Sequence, residues 1–253
     1  MNKVSALIFD VDGTLADTEK DGHRVAFNMA FSQAGLDWNW SEPLYGDLLC
    51  VTGGKERIKY YIDKYLNDFS EPADLNGFIT SLHLAKNRIY AELLAEGRIP
   101  VRPGVKRLLE EAREKGMRLA IATTTSPENV RALLVHALHP EAESWFEVIA
   151  AGDIVPAKKP APDIYLYALQ RLNLAPDQCI AFEDSENGIK SAHDAGLKTI
   201  VTVNDYTRSH EFSTAVIVLN HLGEPGQAFN VLRGDAKGAT YLDVNLVEQL
   251  HGE

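Results

Sequence analysis

Cysteine is almost missing from this chain. Cys50 and Cys179 are its only two, they lie far apart and neither has metal-ligand spacing, which argues against a disulfide framework and a zinc site. Both thiols are expected to be reduced and mostly structural. No run reaches the roughly 18 apolar residues that a membrane span requires. The apolar stretch in MNKVSALIFDVDG is followed by no cleavage-site pattern, so a cytoplasmic protein is expected. Basic residues are also scarce: 25 Lys and Arg face 36 Asp and Glu, a net charge of -11. That field repels nucleic acid and anionic membrane surfaces, so neither is expected as a partner, and any phosphate must be bound by a local basic site. No internal repeat or low-complexity stretch is present. A monomer with a small-molecule ligand is expected.

What is present suits an ordinary globular enzyme: 45% of residues are apolar and 24% charged. A chain of 253 residues fits one core with a sizeable insertion. Short β-branched, apolar runs recur at Ala6 to Phe9, Leu119 to Ala122, Val148 to Ala151, Ile180 to Phe182, Thr199 to Val203 and Val216 to Leu219. Helical patterns at Val105 to Lys115, Pro127 to Leu138, Pro162 to Leu172 and Glu186 to Ala195 lie between most of them. This alternation predicts an α/β fold, a doubly wound parallel sheet covered on both faces. Residues 18–99 break the rhythm with helical patterns near His23 to Gln33, Glu56 to Leu66 and Leu75 to Glu96 and no convincing strand. They are read as an inserted helical cap, and residues 1–17 and 100–253 as the catalytic core. The Gly-rich tail after His221 reads as loop before a last helix at Val244 to Leu250.

Polar residues stand where these strands end, which is where ligands bind in doubly wound sheets. Asp10-Val11-Asp12-Gly13-Thr14 follows the first strand. The period-two alternation of a strand would put Asp10 and Asp12 on one side, one carboxylate to attack and the other to move protons. A calcium loop fits poorly, because Thr14 and Leu15 stand where an EF-hand wants an oxygen ligand and a glycine. Thr123, Thr124 and Thr125 follow the second run and could hold phosphate oxygens, or serve as a plain helix cap. A lysine in Lys158-Lys159-Pro160 could neutralise a phosphoryl group, though paired lysines are ordinary on surfaces. Glu183-Asp184-Ser185 could offer carboxylates to Mg²⁺. Four converging acids require a cation and a lysine to coexist, so Mg²⁺ is the expected cofactor.

In that order, Asp10-Val11-Asp12-Gly13-Thr14-Leu15, Thr123, Lys159-Pro160-Ala161-Pro162-Asp163 and Glu183-Asp184-Ser185 resemble the four motifs of haloacid dehalogenase-like hydrolases, over nearly the whole chain. The resemblance implies a Rossmannoid core and an aspartyl-phosphate mechanism. Asp10 would be the nucleophile, Asp12 the acid and then the base, and Thr123 and Lys159 would handle the phosphoryl group. Asp10, the Asp12 carbonyl and Asp184 would hold Mg²⁺, with Glu183 ligating directly or through water.

The cap segment Thr52-Gly53-Gly54-Lys55-Glu56-Arg57 offers a helix start beside two cations, a seat for a second phosphate or a loop with solvated charges. With Asp17-Thr18-Glu19, His23 and Asp37-Trp38-Asn39-Trp40 it resembles the CbbY subgroup of sugar-phosphate phosphatases. That likeness implies a Calvin-cycle enzyme that hydrolyses xylulose 1,5-bisphosphate, an inhibitor of Rubisco, to xylulose 5-phosphate. It assigns Glu19, His23, Gly54, Lys55, Arg57, His83 and Lys86 to substrate binding. Trp38 and Trp40 are expected to pack the cap, and Gly22 to weaken its first helix. The rival readings are a mutase of the β-phosphoglucomutase type, a haloalkanoate dehalogenase and a noncatalytic sugar-phosphate sensor.

Overall fold

The computed structural model describes residues 3–51, 53–67 and 69–252. The backbone divides into two compact units, Met1–Asp17 with Pro100–Glu253, and Thr18–Ile99. Among the described residues no helix is long and apolar enough to cross a membrane, and Cys50 and Cys179 are both free.

The larger unit is built on a seven-stranded sheet: β1 (Ala6–Phe9), β2 (Arg118–Ala122), β3 (Val148–Ala150), β4 (Cys179–Glu183), β5 (Lys198–Thr202), β6 (Ile217–Leu219) and β7 (Val231–Arg233). Their order is β3-β2-β1-β4-β5-β6-β7. Every neighbouring pair is parallel except β6 with β7, which is antiparallel. All four residues of β1 are fully buried, and successive side chains point to opposite faces, so both faces of the central strand are covered. Helices α5 (Val105–Glu114), α6 (Pro127–Leu133), α7 (Asp163–Leu172), α8 (Glu186–Asp194) and α9 (Val244–Gly252) accompany this sheet. Ala6, Ala120, Ala122, Ala150 and Ala181 form one core cluster with Ile164, Tyr165, Ala168 and Leu172 of α7. Those small side chains let α7 lie close to the strands. The fold is therefore the doubly wound α/β fold that the strand and helix pattern predicts. The tail departs from its expected loop: β7 adds an edge strand of three exposed residues, too short and polar-flanked to stand out as a period-two run.

The smaller unit is helical: a π-helical turn (Thr18–His23), α1 (Arg24–Gln33), α2 (Glu42–Leu48), α3 (Gly54–Tyr65) and α4 (Leu75–Ala95). α2 is not anticipated by periodicity. Its start is nevertheless written in Ser41-Glu42-Pro43, because the Ser41 hydroxyl accepts from Leu44 N at 3.4 Å and Pro43 occupies the first turn. Trp38 and Trp40 do pack the unit. Trp40 is fully buried, with ring centroids 4.6 Å from Phe27, 4.9 Å from Phe31 and 5.4 Å from Tyr61. Asn28 grips its backbone at both ends, accepting from Trp40 N at 2.7 Å and donating to Trp40 O at 3.0 Å.

Gly22 has a role that helix propensity hides. A Cβ there would lie 2.6 Å from Ile99 Cδ1 and 2.7 Å from Tyr90 Cε2, so the missing side chain allows close packing. Propensity favours alanine over glycine by about 1 kcal/mol, whereas overpacking costs about 1–3 kcal/mol. Crowding against the buried Tyr90 should dominate, and Gly22→Ala is expected to lower the urea midpoint. A raised midpoint would show that the pocket relaxes.

Candidate active site

Three neighbouring strand ends bring the polar motifs together. Phe9 is in register with Phe182 of β4 and with Ile121 of β2, so Asp10 stands level with Glu183 and Ala122. Asp10 N donates to Phe182 O at 3.0 Å and Thr123 N to Ala150 O at 2.9 Å, which continues the ladder past the strand ends. After Asp12 the chain turns away through Gly13 at φ +84°. A Cβ at Gly13 would come within 2.2 Å of Asp184 Oδ2, so glycine lets this loop sit directly on the acidic pair.

Lys159 occupies the centre. Its buried ammonium donates to Asp10 Oδ1 at 2.6 Å, Glu183 Oε1 at 2.6 Å and Ala122 O at 2.8 Å. Its neighbour Lys158 is half exposed and pairs with Asp153 at 2.8 Å, so the tertiary structure distinguishes the two adjacent lysines. Burial raises the Asp10 pKa to about 7, assisted by the charges of Glu183 and Asp12 and opposed by Lys159. Asp184 is likewise pushed well above the usual carboxylate range, by burial first and then by Asp10 and Glu183. For Lys159, burial favours the neutral amine, but the Asp10 and Glu183 carboxylates outweigh it and hold the group charged.

One lysine among these acids leaves an excess of buried negative charge. Asp10, Glu183 and Asp184 each offer a carboxylate oxygen, all within 4.8 Å of one another. An all-oxygen, electron-rich donor set suits a hard divalent cation such as Mg²⁺ and would suit a soft metal poorly. Glu183 is already heavily engaged, since Oε1 also accepts from Tyr165 OH at 2.6 Å and Oε2 from Asp184 N at 3.3 Å.

Thr123 is buried and its hydroxyl accepts from Thr125 N at 3.2 Å. The cap of α6 falls instead to Ser126, whose hydroxyl accepts from Asn129 N at 3.3 Å, so Thr123, Thr124 and Thr125 are not the capping residue. Three residues at the site escape motif reading. Tyr165 reaches Glu183 from α7. Asn204 donates to Asp184 Oδ2 at 2.6 Å, and its one local signal is a polar residue just beyond an apolar strand. Arg102 is buried and hydrogen-bonds Gly13 O and Asn220 O, the latter at 2.7 Å.

Within the helical unit a second group of expected residues gathers. Lys86 Nζ and His23 Nδ1 are 2.9 Å apart, and Lys86 lies over the rings of Phe27 and Tyr90 at 5.2 and 5.0 Å. His83 packs on Gly54, where a Cβ would meet its ring at 2.6 Å. Burial, then the charges of Lys86 and Lys55, lower its pKa to about 4. Arg57 faces another way. It donates to Leu48 O at 3.3 Å, Val51 O at 3.2 Å and Tyr45 OH at 3.0 Å, and Tyr45 OH in turn donates to Glu19 Oε2 at 2.5 Å. Glu19 and Arg57 are thus joined through Tyr45. Thr52 lies outside the described residues; Gly53 precedes α3 at φ +100°.

Residues 4–196 match the family model for haloacid dehalogenase-like hydrolases. The chain is 51% identical over 213 residues to the protein CbbY of Rhodobacter capsulatus, covering 84% of this chain and 91% of that one. To the plasmid-encoded CbbY of Cupriavidus necator it is 46% identical over 224 residues, 88% of each. A crystal structure of a CbbY variant from Rhodobacter sphaeroides in complex with xylulose-(1,5)bisphosphate superposes with a TM-score of 0.77 at 46% identity, covering 88% of this chain and 96% of that chain. The chain belongs to the haloacid dehalogenase-like hydrolases and, within them, to the CbbY subgroup.

The depressed pKa of His83 makes stability depend on acid. An unfolded histidine takes a proton near pH 6.5, whereas the folded side chain refuses it until about pH 4. The associated stability is present above pH 6.5 and is lost as the pH falls towards 4. Denaturant midpoints at pH 7 and pH 4.5 should therefore differ less for His83→Gln than for the wild type. Equal acid sensitivity in both would mean that His83 titrates normally.

Proposed function

We propose that this haloacid dehalogenase-like hydrolase is a Mg²⁺-dependent phosphatase of a small sugar phosphate, with xylulose 1,5-bisphosphate as the substrate, working through an aspartyl phosphate on Asp10. The observation that carries this reading is Lys159 lodged between Asp10 and Glu183, at the end of the strand that carries the nucleophile motif. Lys159 opposes the burial that raises the Asp10 pKa to about 7, and so favours the carboxylate form that must attack.

Asp10 would attack phosphorus, forming the Asp10 O–P bond as the bond to the sugar oxygen breaks. Asp12, two residues on and half-buried, would give its proton to that oxygen. It would then take a proton from water as the water oxygen attacks phosphorus, releasing phosphate and restoring Asp10. Lys159 offsets charge on Asp10 and on the phosphoryl oxygens, and Thr123, Thr124 and Thr125 would hold those oxygens. Asp10, the Asp12 carbonyl and Asp184 would hold Mg²⁺, with Glu183 acting mainly through Lys159. When bound, the ion supplies positive charge that keeps Asp10 ionised and polarises the phosphoryl group.

Lys55, His83, Lys86 and His23 in the helical unit would receive the phosphate that is not transferred, which favours a bisphosphate. Arg57 and Glu19 would support that surface through Tyr45. The likeness to a protein crystallised with xylulose-(1,5)bisphosphate supports the same substrate. Neutral His83 is suited to donate one hydrogen bond to a phosphate oxygen, and Lys55 and Lys86 supply the charge.

Asp10→Asn should abolish phosphate release from xylulose 1,5-bisphosphate while leaving the fold intact, because an amide cannot form the acyl phosphate yet preserves shape. Turnover within about tenfold of wild type would remove Asp10 from the nucleophile's role, since such a residue supplies several orders of magnitude. Lys55→Ala should raise KM for a ketose 1,5-bisphosphate far more than for the monophosphate. A charge-assisted contact of about 1.5–3 kcal/mol corresponds to roughly a tenfold to hundredfold loss in kcat/KM. Parallel losses for both substrates would place Lys55 in folding or at the transferred group.

A further inference from the structure

Asn204 stands two residues past β5 and belongs to none of the sequence motifs, yet its side chain is fixed in one orientation. Nδ2 donates to Asp184 Oδ2 at 2.6 Å, and Oδ1 accepts from Tyr206 N at 2.9 Å. The amide cannot be flipped without setting its oxygen against a carboxylate and its nitrogen against an N–H. Its backbone is held as firmly. Asn204 N donates to Thr207 Oγ1 at 3.0 Å, and the carbonyl of the same peptide unit, Val203 O, accepts from Arg102 Nη2 at 2.5 Å. Arg102 Nη1 donates to Gly13 O and, at 3.0 Å, to Thr202 O. One buried guanidinium therefore ties the loop after β1 to the backbone that carries Asn204. The Asn204–Asp184 pair packs against that loop, since a Cβ on Gly13 would lie 2.6 Å from Asn204 Nδ2.

We infer that Asn204 is a positioning residue of the cation site: by engaging Asp184 Oδ2 it leaves Oδ1 as the single ligating oxygen and so favours Mg²⁺ over larger cations. The inference rests on the reading of Asp10 and Asp184 as ligands of Mg²⁺. Mg²⁺ demands near-ideal octahedral geometry with short bonds, whereas Ca²⁺ accepts more oxygens, looser angles and bidentate carboxylates. An Asp184 released by loss of Asn204 could rotate and offer both oxygens, which penalises the small ion selectively. Ligand-orienting partners of this kind are typically worth about 10- to 100-fold in metal affinity.

The test is titration calorimetry of the full, chelator-stripped chain with Mg²⁺ and with Ca²⁺, for wild type, Asn204→Ala and Asn204→Ser, with thermal unfolding in EDTA as the check on folding. Asn204→Ala should weaken Mg²⁺ binding about 10- to 100-fold and Ca²⁺ binding much less, so that the Mg²⁺/Ca²⁺ affinity ratio falls. A purely structural role would move the EDTA melting temperature and leave that ratio unchanged. Mg²⁺ affinity within about twofold of wild type, or equal weakening for both ions, overturns the inference. A wild-type chain that binds no Mg²⁺ instead removes the cation site itself, and the role of Asn204 with it. Should Asn204→Ala lose its cooperative melt, Asn204→Ser, which keeps a turn-forming hydroxyl, is judged by the same ratio.

Discussion

A single ammonium group, that of Lys159, makes the packing of acids at the centre of this sheet tolerable. Removing carboxylates from water is costly, and the cost is visible in Asp10 and Asp184, whose pKa values burial drives upward. Lys159 offsets part of it by hydrogen-bonding Asp10 and Glu183 at once. The compensation is incomplete, which on the proposed reading leaves charge for a divalent cation to balance. A site with all its negative charge balanced by lysines would have no affinity for a divalent cation, and one with none balanced would not hold its acids close together.

The rest of the larger unit serves this arrangement. Parallel pairing with β1 at the centre sets three strand ends side by side, and the register places Asp10 beside Glu183. Alanines beneath α7 let that helix approach, and Tyr165 reaches Glu183 from it at 2.6 Å. Arg102 does for the backbone what Lys159 does for the carboxylates. It gathers the carbonyls of Gly13, Thr202, Val203 and Asn220, and with them the ends of β5 and β6. By donating to carbonyls close to buried charge, the arginine satisfies polar groups and fixes geometry together.

On the proposed reading the helical unit has two tasks, packing and anion binding, and keeps them apart. Phe27, Phe31, Trp40, Tyr45 and Tyr61 form an aromatic core that sustains a unit with no sheet among its described residues. Lys86 and His83 draw on the same core: Lys86 lies over Phe27 and Tyr90, and His83 against Gly54. Burial of the Lys86 ammonium strengthens its attraction for any anion that reaches it, while His83 stays neutral near pH 7. Arg57, by contrast, directs its donors to carbonyls and to Tyr45, which makes it a brace within the unit.

Six strands, most helices and the four motifs could be read from sequence because their signals are local. An apolar run followed at once by Asp10, Thr123 or Glu183 announces a strand end, and adjacent carboxylates announce a cation. Ser41 and Pro43 mark α2 in the same local way, although its weak periodicity hides it. What sequence left open was settled by contacts between residues far apart in the chain. Lys158 and Lys159 are chemically identical neighbours, and only the fold sends one to Asp153 at the surface and the other to Asp10, 149 positions away. Gly22 reads locally as a helix breaker, but its reason is the Tyr90 ring beside it. Arg102 and Asn204 carry no motif at all, because their roles consist of hydrogen bonds to Val203 and Asp184 that exist only once the strands are paired. Local pattern determined which elements and chemical groups this protein has; long-range packing decided which of those groups meet, because burial and hydrogen-bond geometry are properties of neighbours in space.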